Sequence, residues 1–202
     1  MNWARNVLIW GALGSAVSVP IAFSALSPLL AWREPIYIIA GIAGVIALAC
    51  LLIQPLLIAG YLPGLSGRRG RRVHRRIGGG LVATVVIHVA ALWVTSPPDV
   101  VDALLFASPT PFSVWGVIAM WAVFAAALLA VLRQRLGLQL RTWRLCHTAL
   151  VVVVVLGSVV HAMLIEGTME AVSISALCAL VLLATVKTVA DLRAWASRAT
   201  SR

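Results

Sequence analysis

Apolar residues in this chain do not alternate with polar ones. They run almost unbroken for about twenty positions at a time, and the polar clusters fall between the runs. A helix needs about 20 apolar residues to cross the hydrocarbon layer of a bilayer. On that template the sequence predicts six spanning helices, at approximately 6–26, 36–60, 77–95, 113–132, 145–165 and 171–190. Continuous runs exclude a membrane β-barrel, whose strands alternate in polarity. The breakers agree with this division. Pro28 and Pro35 flank the first loop, Pro63 and Gly64 end the second span, and Pro97, Pro98, Pro109 and Pro111 bracket a longer loop. Pro20 and Pro55 fall inside spans, where a proline removes a backbone hydrogen bond and favours a kink. Arg5 before the first apolar stretch gives it some likeness to a signal peptide, but cleavage at Ala25 would set Phe23 where a small residue is needed, so the helix is read as retained. The expected fold class is all-α: a polytopic bundle of six transmembrane helices forming a single domain over 1–202.

Composition narrows the class without changing it. Of 202 residues, 62% are apolar and 11% charged, against about 45–50% and roughly 25% in soluble domains. With a mean hydropathy of +1.03, the chain has too little polar surface to cover a water-soluble globule. A net charge of +10 would in isolation suggest a polyanion partner, but a nucleic-acid domain is not built from long uncharged runs. The charge is better explained by orientation. With the amino terminus inside, every basic residue except Arg33 falls in a cytoplasmic segment, whereas Glu34, Asp99, Asp102, Glu166 and Glu170 face out and Asp191 faces in. Such asymmetry over short loops predicts both termini in the cytoplasm. The RRGRR run at 68–72 is then an anchor near anionic headgroups. Cys50, Cys146 and Cys178 lie in apolar segments without a CxxC pair and are read as small apolar filler.

The chemistry rests with four histidines. His74 and His88 are fourteen residues apart, and so are His147 and His161. Fourteen steps of about 100° come within about 40° of whole turns, so each pair shares a helix face with its members about 21 Å apart along the axis. The third and fifth spans run in the same direction, so His74 matches His147 in depth and His88 matches His161. Two facing helices of this kind offer two stacked sites with an imidazole on either side, the geometry of two bis-histidine b-type haems. A zinc site would need three or four ligands at one depth. The alternative use of an intramembrane histidine is an interhelical hydrogen bond or a proton path. Gly78 and Gly157 each share a face with a histidine four residues away, where a missing side chain gives a flat ring room; glycine also serves plain helix contacts. Arg75, Arg76 and Arg144 sit beside the inner pair, placed either for haem propionates or as topology anchors.

The segments VHRRIGGGLVATVVIHVAALW (73–93) and WRLCHTALVVVVVLGSVVHAML (143–164) resemble the ferric reductase-like transmembrane domain. That superfamily includes ferric reductases, NADPH oxidases and the haem-bearing membrane subunit of the bacterial periplasmic methionine sulfoxide reductase system. The resemblance spans roughly 36–190. It implies two haem b groups, with His74 and His147 as ligands of an inner iron and His88 and His161 of an outer one. The implied activity is one-electron transfer from a cytoplasmic or quinol donor to an acceptor outside, as an oxidoreductase component in a bacterial inner membrane. Ferric reductases and NADPH oxidases also carry a cytoplasmic flavin and NAD(P)H module, and only about a dozen residues follow 190, with no Gly-rich dinucleotide fingerprint. The expected donor is therefore a separate flavin reductase, a free reduced flavin or membrane quinol. Arg133, Arg135, Arg141 and Arg144 offer it a basic face. The outer acids either gather ferric or cupric ions, dock a basic partner or simply solvate the loops. Two other readings stand beside this one. The first is a subunit feeding electrons to a periplasmic methionine sulfoxide reductase-type enzyme. The second is a haem-free transporter or assembly protein with its histidines in a proton path.

Overall fold

The computed structural model describes residues 2–165 and 170–200, with side chains described for 3–165 and 170–191. The chain forms seven helices: α1 (Asn2–Ala25), α2 (Pro35–Ala59), α3 (Gly67–Thr95), α4 (Pro97–Leu104), α5 (Pro111–Leu132), α6 (Leu140–Leu164) and α7 (Ala171–Thr200), with a short 3-10 turn at Pro28–Leu30. All but α4 are long and apolar enough to cross a membrane, and no strand occurs among the described residues. The six spans expected from hydropathy are all present.

Local chemistry sets the ends. Pro35 and Pro111 occupy first-turn positions of α2 and α5, where the missing N–H has no helical partner to lose. Gly60 ends α2 in the left-handed region at φ 73°, its N–H donating back to the Leu56 and Leu57 carbonyls. Two differences from the hydropathy reading have clear causes. Helix α3 begins at Gly67 rather than near 77, so the 68–72 arginine run is helical. Hydropathy marks only the part of a helix immersed in lipid, and arginine is a good helix former that continues it into water. Residues 97–104, expected as loop, form α4: Pro97 and Pro98 open it and Asp99 lies in its first turn. Pro20 and Pro55 lie inside α1 and α2 as expected.

Helix α2 occupies the centre. Val45, Leu48, Leu51 and Leu52 pack with Leu81 of α3, Ala122 and Val123 of α5, Val154 and Val155 of α6, and Leu177 and Val181 of α7. The main pairings are two hairpins, α2 with α3 and α5 with α6, and α7 seals the side of α2. At one end α7 is clasped to α2 and the turn after it: Thr188 donates to the Pro55 carbonyl at 3.3 Å and the Tyr61 hydroxyl donates to Asp191, which also pairs within α7 with Lys187 at 3.1 Å. The arginine-bearing helix ends gather at this same, basic end, while α4 and the α1–α2 loop lie at the opposite, acidic end. The outward faces carry exposed Leu8, Trp121, Leu128 and Leu183, the surface that a spanning bundle presents to lipid. Cys50, Cys146 and Cys178 are free thiols, and Cys146 is exposed.

Candidate functional site

Each histidine projects from α3 or α6 toward a carbonyl on the neighbouring helix of its hairpin. His88 donates from Nδ1 to the Ala40 carbonyl at 2.7 Å, and His161 donates from Nδ1 to the Phe112 carbonyl at 2.8 Å. A carbonyl only accepts, so both rings carry their proton on Nδ1, and Nε2 is left as a lone-pair donor. The two rings face one another with centroids 6.3 Å apart and planes at 87°. With metal–imidazole bonds of about 2 Å, two rings on opposite sides of one ion have centroids roughly 6 Å apart. These two histidines line a cavity of about 690 Å³ that is walled by α2, α3, α5 and α6 and reaches Asp99 and Thr110 at the acidic end. Cofactor- and drug-sized ligands occupy cavities of about 300–1,000 Å³. The donor set, the spacing and the space therefore suit a macrocycle with a central metal.

The second pair is built differently. His74 and His147 lie within electrostatic range of one another. His74 Nδ1 is 3.3 Å from the Gln54 carbonyl. The Gln54 side chain lies on the same stretch of α3: its oxygen accepts from the Gly78 N–H at 2.8 Å, and its NH2 donates to the His74 carbonyl at 3.3 Å and touches His74 Nδ1. His147 Nδ1 is buried near the Ala126 carbonyl without meeting it in hydrogen-bond geometry. Its ring instead stacks on Trp143, with centroids 5.3 Å apart and planes 12° apart, and the Arg133 guanidinium also lies over the indole, 4.8 Å from its centroid. Trp143 Nε1 is likewise buried without a partner.

The depth matching expected from the fourteen-residue spacing is present in both pairs, and the carbonyls follow it: Ala40 and Gln54 on α2 are fourteen apart, as are Phe112 and Ala126 on α5. The glycines behave otherwise than expected. A β-carbon at Gly78 would stand 3.1 Å from the Gln54 side-chain amide, and one at Gly157 would stand 3.1 Å from both the Ala119 β-carbon and the Trp115 carbonyl. Their open sides thus receive a glutamine and a helix backbone, not a flat ring. The glycines that do touch histidines are Gly44, whose β-carbon would lie 3.3 Å from His88 Nδ1, and Gly116, whose β-carbon would lie 2.6 Å from His161 Nδ1. Sequence reading missed both, although the tetrapeptide Gly-Val-Ile-Ala at 44–47 recurs at 116–119. Trp143 was missed too; its signal was an aromatic residue four positions before His147, on the same helix face.

Arg75, Arg76 and Arg144 are exposed near the second pair, and none forms an ion pair among the described residues. Arg135 and Arg141 are exposed at the same end, beside the half-buried Arg133. At the acidic end Asp99 borders the cavity and Asp102 is exposed. Arg33 lies 4.9 Å above the ring of Tyr37, itself a wall of the cavity. Glu166 lies outside the described residues. No three His, Cys, Asp or Glu side chains converge among the described residues, so each site offers two imidazoles.

Comparison with known proteins gave one finding. The model of the family described as ferric reductase like transmembrane component matches residues 40–158, more than half of the chain. No curated protein and no solved structure matches it.

Proposed function

The chain belongs to the ferric reductase-like transmembrane family, and from that premise we propose that it is a transmembrane electron conduit binding two b-type haems. One would lie between His88 and His161, the other between His74 and His147. The observation that carries this reading is the His88–His161 pair, two Nδ1-tied imidazoles with centroids 6.3 Å apart across an apolar cavity. Haem, when bound, supplies a one-electron iron couple whose potential follows axial ligation and burial.

The protein's own part is to hold and insulate. The Ala40 and Phe112 carbonyls fix the tautomer of the outer imidazoles and aim Nε2 inward; such outer-shell bonds orient metal ligands and raise their basicity. Leu48, Val117, Met120 and Val154 wall the outer cavity with apolar surface and keep water from it. At the basic end Arg75, Arg76 and Arg144 are free to pair with the carboxylates of an inner macrocycle. With two imidazoles offered at each site, His88 and His161 or His74 and His147 would leave a bound haem no open position for a substrate, which suits electron transfer rather than substrate activation.

The basic end faces the cytoplasm in this reading, in keeping with the positive-inside rule, and the membrane is a bacterial plasma membrane. The donor is a separate cytoplasmic flavin reductase or membrane quinol, meeting the arginine face, and the acceptor lies outside. The purified protein should show a dithionite-reducible b-type absorption spectrum with about two haems per chain, two irons each being held by two histidines. His74→Ala and His147→Ala should remove the same haem and spare the other. A colourless protein that cannot be reconstituted with haem overturns the proposal, and loss of different haems from the two variants overturns the pairing.

A further inference from the structure

The two outer histidines are held by one device used twice. On α2, Ala40 offers a carbonyl to His88, and Gly44, one turn later, lies against the same imidazole. On α5, Phe112 offers a carbonyl to His161, and Gly116, one turn later, lies against that imidazole. In an α-helix the carbonyl of residue i points toward residue i+4, so a ring that bonds to it passes over the i+4 position, where a side chain would block it. The clearances are narrow. A methyl group at Gly116 would stand 2.6 Å from Nδ1 and 2.7 Å from Cε1 of His161, and one at Gly44 would stand 3.3 and 3.4 Å from the same atoms of His88. The inner histidines lack this arrangement: the residues one turn after Gln54 and Ala126 are Ile58 and Ala130, the His74 bond is long at 3.3 Å, and His147 Nδ1 is unpaired.

We infer that Gly44 and Gly116 are positioning residues of the outer site, setting the two imidazole planes nearly perpendicular through the carbonyl clamps of Ala40 and Phe112. The inference rests on the di-haem reading above and deepens it. Bonding to the carbonyl fixes each ring in its plane, and the bare glycine leaves the ring its room there, so the 87° between the planes is a built property. Each clamp is supplied by its own hairpin, and the α2–α3 and α5–α6 hairpins therefore present their rings independently. The edge-on contact of the Phe112 ring with His161, at 5.9 Å and 66°, braces the second ring further.

The angle has a direct signature. Perpendicular axial imidazoles leave two d orbitals of low-spin ferric haem nearly degenerate, giving a highly anisotropic electron paramagnetic resonance signal, whereas parallel planes give an ordinary rhombic one. The haem-loaded, oxidised wild-type protein is expected to show a highly anisotropic component. Gly116→Ala should abolish that component or move it toward the rhombic form, and Gly44→Ala should shift it by less, in the order of the two clearances. The inner signal and the inner haem content should stay unchanged in both variants and so report an intact bundle. If Gly116→Ala does not accumulate, Gly44→Ala carries the test alone, and an unchanged spectrum there overturns the inference. Haem-loaded wild type without a highly anisotropic component, or with one indifferent to Gly116→Ala, also overturns it. A wild-type protein that binds no haem sinks the di-haem reading instead.

Discussion

Gly70 lies between the two arginine pairs of the 68–72 run, and it is buried while its arginine neighbours are exposed. A β-carbon there would stand 2.3 Å from the Leu65 carbonyl oxygen and 3.0 Å from that of Leu57. The run is thus a charged surface wrapped around a steric requirement: the backbone of α3 must approach the end of α2 closely for the hairpin to close. Overpacking of this kind costs about 1–3 kcal/mol. Gly70→Ala should lower stability by about that much in thermal unfolding of the detergent-solubilised protein. Gly79, where a β-carbon meets nothing, supplies the comparison, since Gly79→Ala should be neutral or stabilising by about 0.5–1 kcal/mol. At this scale the sequence was legible where a residue type has one dominant use in a membrane. Four histidines in an apolar chain pointed to themselves, and their spacing anticipated that His88 meets His161. Glycine has several uses, and composition does not choose among them. Gly78 and Gly157 share a face with histidines yet face Gln54 and α5, whereas Gly44 and Gly116 touch the rings from other helices. Only the packing of α2 on α3 and of α5 on α6 reveals which glycine meets which imidazole.

Among the elements, α7 shows how a span is started at the acidic end. The Glu170 carboxylate accepts from the Val172 N–H at 2.6 Å, from the Ser173 N–H at 3.0 Å and from the Ser173 hydroxyl, covering amides that the first turn leaves open. The Ser173 hydroxyl above all, together with the two amides, holds the Glu170 carboxyl below its ordinary value of 4.5. A carboxyl depressed in the folded state contributes stability above its unfolded value, and that contribution is lost as pH falls through the folded one. Amide exchange protection at 172–174, corrected for its intrinsic pH dependence, should therefore fall in wild type as the medium is acidified below pH 4.5. Glu170→Ala should show the lower protection already at neutral pH and no further acid step; a wild-type profile indifferent to pH would refute the cap. Of the elements, the spans were legible because lipid demands a length, and α4 was not, because eight residues in two turns carry no such demand. Its two opening prolines read as breakers when they are also good first-turn residues. The arginine-rich start of α3 was missed because hydropathy measures immersion and not helicity.

For the whole molecule, charge sorts the helix ends into a basic and an acidic end, with α4, Asp99 and Asp102 at the acidic one. Fusion of alkaline phosphatase after Ala107 should give an enzyme active outside the membrane, and fusion after Gly137 should give an inactive one, as the charge asymmetry requires. The reverse pattern would invert the bundle and with it the direction proposed for electrons. The division into two hairpins governs how the molecule comes into being. Each histidine pair takes one ring from α3 and one from α6, so the first hairpin can be complete while neither site exists. At about 5–20 residues per second, the seventy-odd residues between partner histidines take roughly 4–15 s to synthesise. Through that interval His74 and His88 stand in the membrane with their carbonyl partners in place and no opposite ring. On the di-haem proposal, cofactor loading is a late event in the biogenesis of this chain, and a chain that stops short of His161 would lack one of the two imidazoles proposed for the outer site.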